Sequence, residues 1–480
     1  LSANLGAFAL RDFDSTCTAI AGLDVRPALT YPAVAVLHPR RHDLARLFPG
    51  NAPLPSLSRG GREDSRLALV YAMAFVREAG RVQLAEKYAD RIVDGMAFPA
   101  VPPSGSLTNA GSEWLTWFQL GLTRLAAGEL QQAHRELTTA VGGVALSGVP
   151  SRLTLGYLAL VAALMGDTVR ARHDLDRAQN QAAPVGSYLW GLHATARAIV
   201  DVEEHSSDCD GAIAMLDLIE DPAPFWPYAL LARTRYAELV GRAADSLAFL
   251  ESAELLYAPE AGSFAYDVLV ARRIEALILL ARVSTARSVH DDRAIDAPHC
   301  RVASLALLFS EHDFGTVDRG LAAVLAVPNL TSAQRVQAEA LSALGTFLRD
   351  NAIPDFVAPG LGHALSLRAH RRVALMFPPL LRDALEPYVS ADLRDDWQSS
   401  PVKTSLWDRE HVAQARALTL RQVVMLRHLD RGRSYAEIAE TEHVSVNTVK
   451  THLKLLYKKL GVSTSSEALT FARRWGLLDS

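Results

Sequence analysis

Residues 434–460 read SYAEIAETEHVSVNTVKTHLKLLYKKL, and the order of residues in this stretch sets a local fold. Ser434 followed three positions later by Glu437 is a capping-box pair, which starts a short helix. Ile438 and Ala439 take the inner face of that helix, His443 and Val444 supply a turn, and Ser445 can cap a second helix. On the second helix Val449, Leu453, Leu456 and Leu460 recur at three- and four-residue spacing and form one apolar stripe. Asn447, Lys450, Thr451, Lys454 and Lys458 then gather on the opposite face. The spacing predicts two helices joined by a tight turn, the second presenting a polar, basic face: a helix-turn-helix. Two further capping pairs, Thr419 with Gln422 and Thr464 with Glu467, flank it, so four short helices are expected over 418–480.

Charge sets this segment apart from the rest of the chain. Among 480 residues there are 49 Lys and Arg against 53 Asp and Glu, a formal net charge of −4. Residues 417–480 carry ten basic and six acidic side chains, which leaves the preceding 416 residues at −8. The chain has six lysines, and four of them, Lys450, Lys454, Lys458 and Lys459, lie in SVNTVKTHLKLLYKKL, which contains no acid. Such asymmetry points to a polyanion partner for the carboxy-terminal end. A lysine ammonium can donate to guanine O6 and N7, and a threonine methyl can touch the thymine methyl, so Lys450, Thr451 and Lys454, with Asn447, are the candidate base-reading residues. Thr448, His452, Lys458 and Arg433 are candidate phosphate contacts, which position a helix without reading sequence. For Lys459 a solvated charge near the helix end is at least as well supported as a phosphate contact.

These residues resemble the LuxR/GerE (NarL-type) family of helix-turn-helix DNA-binding domains. The resemblance rests on LTLRQ at 418–422, EIA at 437–439, VSVNTVKTH at 444–452, KKLGV at 458–462 and EA at 467–468. Three positions depart from the family pattern. Gln422 and Val424 stand where glutamates are usual, and Ser465 replaces an arginine that commonly follows the LGV segment. The resemblance implies dimer contacts on the fourth helix, for which Leu469, Ala472 and Trp475 are the candidates, and a homodimer reading paired half-sites on double-stranded DNA. The Ser434-Tyr435-Ala436 segment is also similar to region four of sigma factors, which binds duplex DNA through the corresponding helix.

Upstream the pattern is helix after helix, with little period-two alternation. Trp117, Leu120 and Gly121, followed by a turn at Gly128 and by Ala133, Leu137 and Ala140, reproduce the spacing of a tetratricopeptide repeat. Leu155, Leu158, Ala159, Gly166, Ala171, Leu175 and Ala178 repeat the register. Weaker echoes occur at Gly80 with Ala85 and at Gly241 with Ser246, Leu250 and Ala253. Small residues at Gly121, Ala133 and Ala140 would let paired helices approach closely while Trp117 and Leu137 fill the gap. The fold class expected is all-α: a tetratricopeptide-like helical-repeat solenoid over 1–395, a linker at 396–416 and a four-helix LuxR-type domain over 417–480. A solenoid followed by such a domain is similar to the carboxy-terminal part of the large MalT-like regulators, without their ATPase domain. The chain opens on Leu1, as a fragment or an alternative-start product would, so such a switch could lie upstream.

Composition and motifs narrow the function. Apolar residues make up 49% and charged residues 21%, as in soluble globular proteins. The longest apolar run, 153–165, is short of the ~20 residues that span a bilayer. No secretory signal is evident at the amino terminus, and Cys17, Cys209 and Cys300 suit a reducing compartment, so a cytoplasmic protein without a membrane partner is expected. The lysines followed by Ser or Thr, Lys403 and Lys450, lack the glycines of a phosphate-binding loop. GAIAM at 211–215 is no nucleophile elbow, and no catalytic triad, cofactor or metal site is legible, so an enzyme is not expected. His290, Asp291, Asp292, His299 and Cys300 match no zinc spacing and are read as a polar surface loop. Trp190, His193, Trp226, Tyr228, Arg233 and Arg235 could line a groove for an effector; aromatics at helical spacing are more often core. The reading is a DNA-binding transcriptional regulator whose helical body receives a small-molecule or protein effector, with RNA polymerase a further expected partner. The alternative is an interaction scaffold whose tail no longer binds DNA.

Overall fold

The computed structural model describes residues 62–96, 107–142, 149–178, 185–219, 222–399 apart from 281, 293–296, 312, 328–329, 351–352 and 378, and 418–474 apart from 419, 461 and 463. All regular structure among these residues is helical and no strand occurs, so the all-α class expected from the sequence is the one observed. The chain divides into two compact units, Leu1–Arg233 with Phe249–Leu269, and Thr234–Ala248 with Val270–Ser480.

The first unit is built from α1 (Arg62–Glu78), α2 (Val82–Met96), α3 (Leu107–Ala127), α4 (Leu130–Gly142), α5 (Val149–Met165), α6 (Thr168–Ala178), α7 (Tyr188–Glu204) and α8 (Cys209–Met215). Three helices, α9 (Trp226–Leu239), α10 (Ala243–Tyr257) and α11 (Phe264–Leu279), give residues to each unit. The helices α1 and α2, α3 and α4, and α5 and α6 pack as hairpins. The reversal is a backbone requirement. Gly128 has φ +84°, its N–H donates to Leu125 O and that of Glu129 to Arg124 O at 2.9 Å, which satisfies two carbonyls of the ending α3. Gly166, φ +85°, closes α5 in the same way. Close approach of the paired helices depends on Gly121, where a Cβ would lie 2.7 Å from Leu137 Cγ. Ala133, Leu137 and Ala140 are buried on the facing side of α4, and Ala171, Leu175 and Ala178 on α6. The apolar run of α5 is the centre of this core.

Charged side chains tie successive helices together. Arg124, at the end of α3, donates to Asp90 of α2 at 2.6 Å and has Glu129 and Glu136 of the hairpin within 3.8 Å. Arg172 of α6 pairs with Asp201 and Glu204 of α7 at 2.8 and 2.6 Å. Burial pushes the Glu136 carboxyl up to about 7, with Gln132 and Arg124 opposing the shift.

The second unit continues with α12 (Val283–Asp291), α13 (Pro298–Ser310), α14 (Phe314–Leu325), α15 (Ser332–Asp350), α16 (Ala358–Ser366), α17 (Arg371–Leu375), α18 (Pro379–Leu385) and α19 (Ala391–Ser399). Arg272 lies buried between Glu238 and Glu275, with Thr234 Oγ1 at 3.2 Å and Gln337 donating to Glu275 at 3.0 Å. The histidine-acid-cysteine cluster is only partly the surface loop expected. His290 and Asp291 end α12 and bond to each other at 2.9 Å, but Cys300, in the first turn of α13, is fully buried. Among the described residues no group of His, Cys, Asp or Glu has the geometry of a metal site. Nor is any described helix long and apolar enough to cross a membrane. The first four residues of the expected linker, 396–399, are the last turn of α19; 400–416 lie outside the described residues, as do Cys17 and residues 1–61 of the expected repeat domain. The carboxy-terminal helices are α20 (Leu420–Asp430), α21 (Tyr435–Thr441), α22 (Val446–Leu460) and α23 (Ser465–Arg474).

Two outcomes follow for stability. Gly121→Ala forces Leu137 out of its place and should cost about 1–3 kcal/mol, read as a lower urea midpoint; an unchanged midpoint would show that the helix pair can open without penalty. Glu136 has a folded pKa above the ordinary 4.5, so as pH rises the unfolded chain ionises first and folding stability falls between about pH 4.5 and 7. Glu136→Gln should therefore match the parent at pH 4 and exceed it by up to ~3 kcal/mol at pH 8, measured by denaturant titration at the two pH values.

Candidate nucleic-acid interface

The four carboxy-terminal helices enclose two small apolar clusters. Met425, Ile438, Ala439, Val449 and Leu453 form one; Leu418, Leu426, Leu456, Leu460, Ala468 and Ala472 form the other. Tyr457, half-buried, packs against both. The stripe Val449, Leu453, Leu456 and Leu460 is buried, which fixes the rotation of α22 about its axis.

The start and end of each helix are set by local hydrogen bonds. Ser434 Oγ accepts from the Glu437 N–H while the Glu437 carboxylate accepts from the Ser434 N–H at 2.7 Å, a complete capping box. These bonds hold the Glu437 carboxyl below its ordinary value. Helix α21 ends at His443, whose φ of +52° is left-handed. Its N–H donates to Glu440 O, and that of Val444 to Ala439 O at 2.9 Å. Val444 then packs against the first apolar cluster, so the chain turns within four residues and α22 starts at once. Ser445 caps it, accepting from the Thr448 N–H at 3.1 Å. Thr464 accepts from the Glu467 N–H at 3.1 Å at the start of α23. Thr419, the remaining expected cap, lies outside the described residues.

The rotation of α22 leaves Asn447, Lys450, Thr451, Lys454 and Lys458 exposed. Thr451 Oγ1 donates to the Asn447 carbonyl at 2.9 Å; its proton is thus spent, and what it offers a partner is its methyl group and acceptor lone pairs. Thr448 and His452 are half-buried on the flank of the helix, and the Thr448 hydroxyl pairs with that of Ser445 at 2.8 Å. Arg433 acts first inside the domain: Nη1 lies 3.0 Å from Thr441 Oγ1 and 3.3 Å from His428 Nδ1. His428 Nε2 in turn meets Glu442 Oε1 at 2.7 Å. A guanidinium only donates, so this pairing has Nδ1 accepting and Nε2 donating to the carboxylate.

Several placements differ from the sequence reading. Lys459 is not a free solvated charge: it is half-buried and donates to Gln422 Oε1 at 3.2 Å, and Gln422 is itself buried. Ala472 is fully buried in the domain's own core and has no surface to offer a second copy; Leu469 is half-buried against the same core, and Trp475 lies outside the described residues. Leu455, out of phase with the inward stripe, is 48% exposed next to Lys454, an apolar side chain on the outer face that the sequence reading left unassigned. Its signal was the phase itself. In the helical body the candidate effector residues separate. Trp226 and Tyr228 line one cavity, whereas Trp190 packs against the core. Arg233 pairs with Asp217 at 2.6 Å beside the Phe249 ring. His193 is buried, its pKa pushed down to about 4 by desolvation, and Arg235 is buried in the second unit.

Residues 416–472 match the family described as bacterial regulatory proteins, luxR family (GerE). The chain is 30% identical over 173 residues to a protein named probable transcriptional regulatory protein NarL in two strains of Mycobacterium tuberculosis, CDC 1551 and H37Rv, a match spanning 30% of this chain and 80% of each relative. It is 27% identical over 93 residues to the transcriptional regulatory protein LnrK of Bacillus subtilis, spanning 19% of this chain and 42% of that one. No solved structure matches.

The left-handed turn gives a direct test. A non-glycine residue in this conformation costs about 1–2 kcal/mol, more for a β-branched side chain. His443→Gly should slow amide exchange in α21 and α22, and His443→Val should speed it by roughly tenfold or more. Equal exchange in the two variants would mean that the turn does not hold the second helix in place.

Proposed function

Since the chain belongs to the luxR family of bacterial regulatory proteins and is accordingly a DNA-binding transcription regulator, we propose that α22 reads base sequence in the major groove and that the helical body ahead of it receives the signal. One observation carries this reading: on a helix whose opposite face is locked into the domain core, the outward face holds three exposed lysines, Asn447 and Thr451, and no acid. A solvated helix of a scaffold protein has no reason to exclude acids over sixteen residues, whereas a helix facing phosphates and base edges does.

Roles follow from position. On this reading Lys450, Thr451, Lys454 and Asn447 meet base edges, and Lys458 and His452 meet phosphate. Thr448 contributes first as part of the α22 cap, and Arg433 as a tie between α20 and α21; a phosphate contact from either is secondary. Lys459 belongs with Gln422 to the support of the domain. Gln422 stands where this family usually has a glutamate. The Lys459 bond to Gln422 is consequently charge-to-dipole. Dimerisation on DNA would use the exposed side of α23 with Leu469 at its edge, because Ala472 is already committed to the core. Two copies would then read paired half-sites about one helical turn apart.

Lys450→Ala should cost roughly 1–3 kcal/mol on a selected site and relax preference at one position, whereas Lys458→Ala should weaken all sequences alike and reduce the slope of log affinity against log salt by about one. Selection from a random duplex pool followed by salt titration of each variant measures both. Identical losses on specific and nonspecific DNA would remove the division between reading and positioning.

A further inference from the structure

The first unit contains a half-open cavity of about 190 Å³. Its wall contains four tyrosines and a tryptophan, Tyr157, Tyr188, Trp226, Tyr228 and Tyr257, drawn from α5, α7, α9 and α10. Each of these rings is braced by another. Trp226 and Tyr257 stack on each other, centroids 4.5 Å apart and planes 4° from parallel. Tyr188 packs on Phe225 at 4.9 Å, Tyr228 on Phe264 at 5.2 Å, and Tyr157 on Phe118 at 5.7 Å. Rings held in this way cannot fold into the cavity, so its shape does not have to be organised by a ligand.

The polar groups of the wall carry a sign. Arg77, the cation of the wall, has both terminal nitrogens committed: Nη1 to Gln119 O and Thr123 Oγ1, both at 3.2 Å, and Nη2 to Glu78 Oε1 at 3.0 Å and Gln119 Oε1 at 2.9 Å. Glu78 thus neutralises it, and the Glu260 carboxylate is left over. Glu260 accepts from the Gln83 N–H at 3.2 Å in the first turn of α2, and Gln83 Nε2 donates to Ala261 O at 2.8 Å. Gly262, φ +81°, lets the loop lie that close, since a Cβ there would meet Gln83 Nε2 at 2.7 Å. The rim bearing Tyr257 and Glu260 is therefore pinned to α2. The Tyr157 and Tyr188 hydroxyls pair with each other, and the Tyr228 hydroxyl, on a side chain more than nine-tenths buried, bonds no described residue.

Aromatic faces attract cations through their quadrupole, the carboxylate surplus adds to that attraction, and the guanidinium has both terminal nitrogens already committed and its charge met by Glu78, which disfavours an anion. The volume is somewhat larger than the ~150 Å³ that accommodates benzene. We propose that this cavity is a binding site for a small organic cation, a quaternary or protonated amine of about six to ten non-hydrogen atoms. Glu260 supplies the counter-charge, Trp226 and Tyr257 the cation-facing aromatic wall, and the Tyr228 hydroxyl a hydrogen bond to a polar substituent. The inference rests on the reading of the helical body as the signal-receiving part of the protein for its regulatory meaning, but not for the binding itself.

The test is calorimetric titration of the full chain with choline and with 3,3-dimethyl-1-butanol, which has the same shape and no charge. Choline should bind with one site per chain, at least about tenfold more tightly than the alcohol. Trp226→Leu should abolish that preference, and Glu260→Gln should weaken choline binding while leaving the alcohol unaffected. Equal affinity for the two compounds, or no saturable binding of either to a chain with a cooperative melting transition, overturns the proposal. The same samples are then titrated onto a selected DNA site with and without saturating choline. Binding of choline with no change in DNA affinity leaves the cation site standing and overturns the body's role as its receiver.

Discussion

The structure depends on one backbone event repeated along the chain: a helix closed by a single left-handed residue whose N–H, with that of the next residue, caps the last carbonyls. Gly80, Gly128, Gly166, Gly241 and Gly432 do this with φ between +72° and +85°, and His205 and His443 do it at +49° and +52°. In every case the following residue donates back to the carbonyl five positions earlier, as Arg81 does to Val76 and Arg433 to His428, both at 3.1 Å. The motif satisfies buried polar backbone and reverses the chain in two or three residues. Paired helices in the body and the sharp turn before α22 are consequences of the same device.

Once the chain reverses that tightly, the packing residues are dictated. Two helices approach closely only where one of them is small, which is why Gly121 of α3 faces Leu137 of its hairpin partner α4 and why Gly156 of α5 faces Leu192 of α7, with a virtual Cβ 2.7 Å from each leucine. In the carboxy-terminal domain the same economy works with a smaller core. Two apolar clusters linked by Tyr457 hold α22 at one rotation, and that rotation turns the lysines outward. The functional face is the complement of a packing requirement.

What could be read in advance follows this division. Capping pairs, turn residues and the stripe of α22 are local, period-bound signals, and Ser434 with Glu437, Ser445 and Gly128 are found where their spacing placed them. The reading went wrong where a side chain's fate depends on a distant segment. Lys459 reaches across 37 positions to Gln422, which nothing in the sequence of α22 announces. The fourth-helix stripe had to serve both the domain's own core and a partner copy, and Ala472 falls on the core side, because a small residue on a short amphipathic helix suits both uses. Cys300 was grouped with its polar neighbours, although it starts a helix that turns it inward.

The sequence by itself determined the helical class, the turns, the helix-turn-helix and its basic face, since each rests on residues within about one or two helical turns of one another. Only the tertiary structure decided the aromatic cavity. Tyr157, Tyr188, Trp226 and Tyr257 are spread over a hundred positions, and each, taken alone, is indistinguishable from a core residue. They form a wall because successive helices stack and leave a gap there. The sign of that gap rests on bonds, Arg77 to Gln119 and Glu260 to Gln83, that join residues 42 and 177 positions apart. Periodicity reports which face of a helix is apolar; it carries no information about which other helix meets that face.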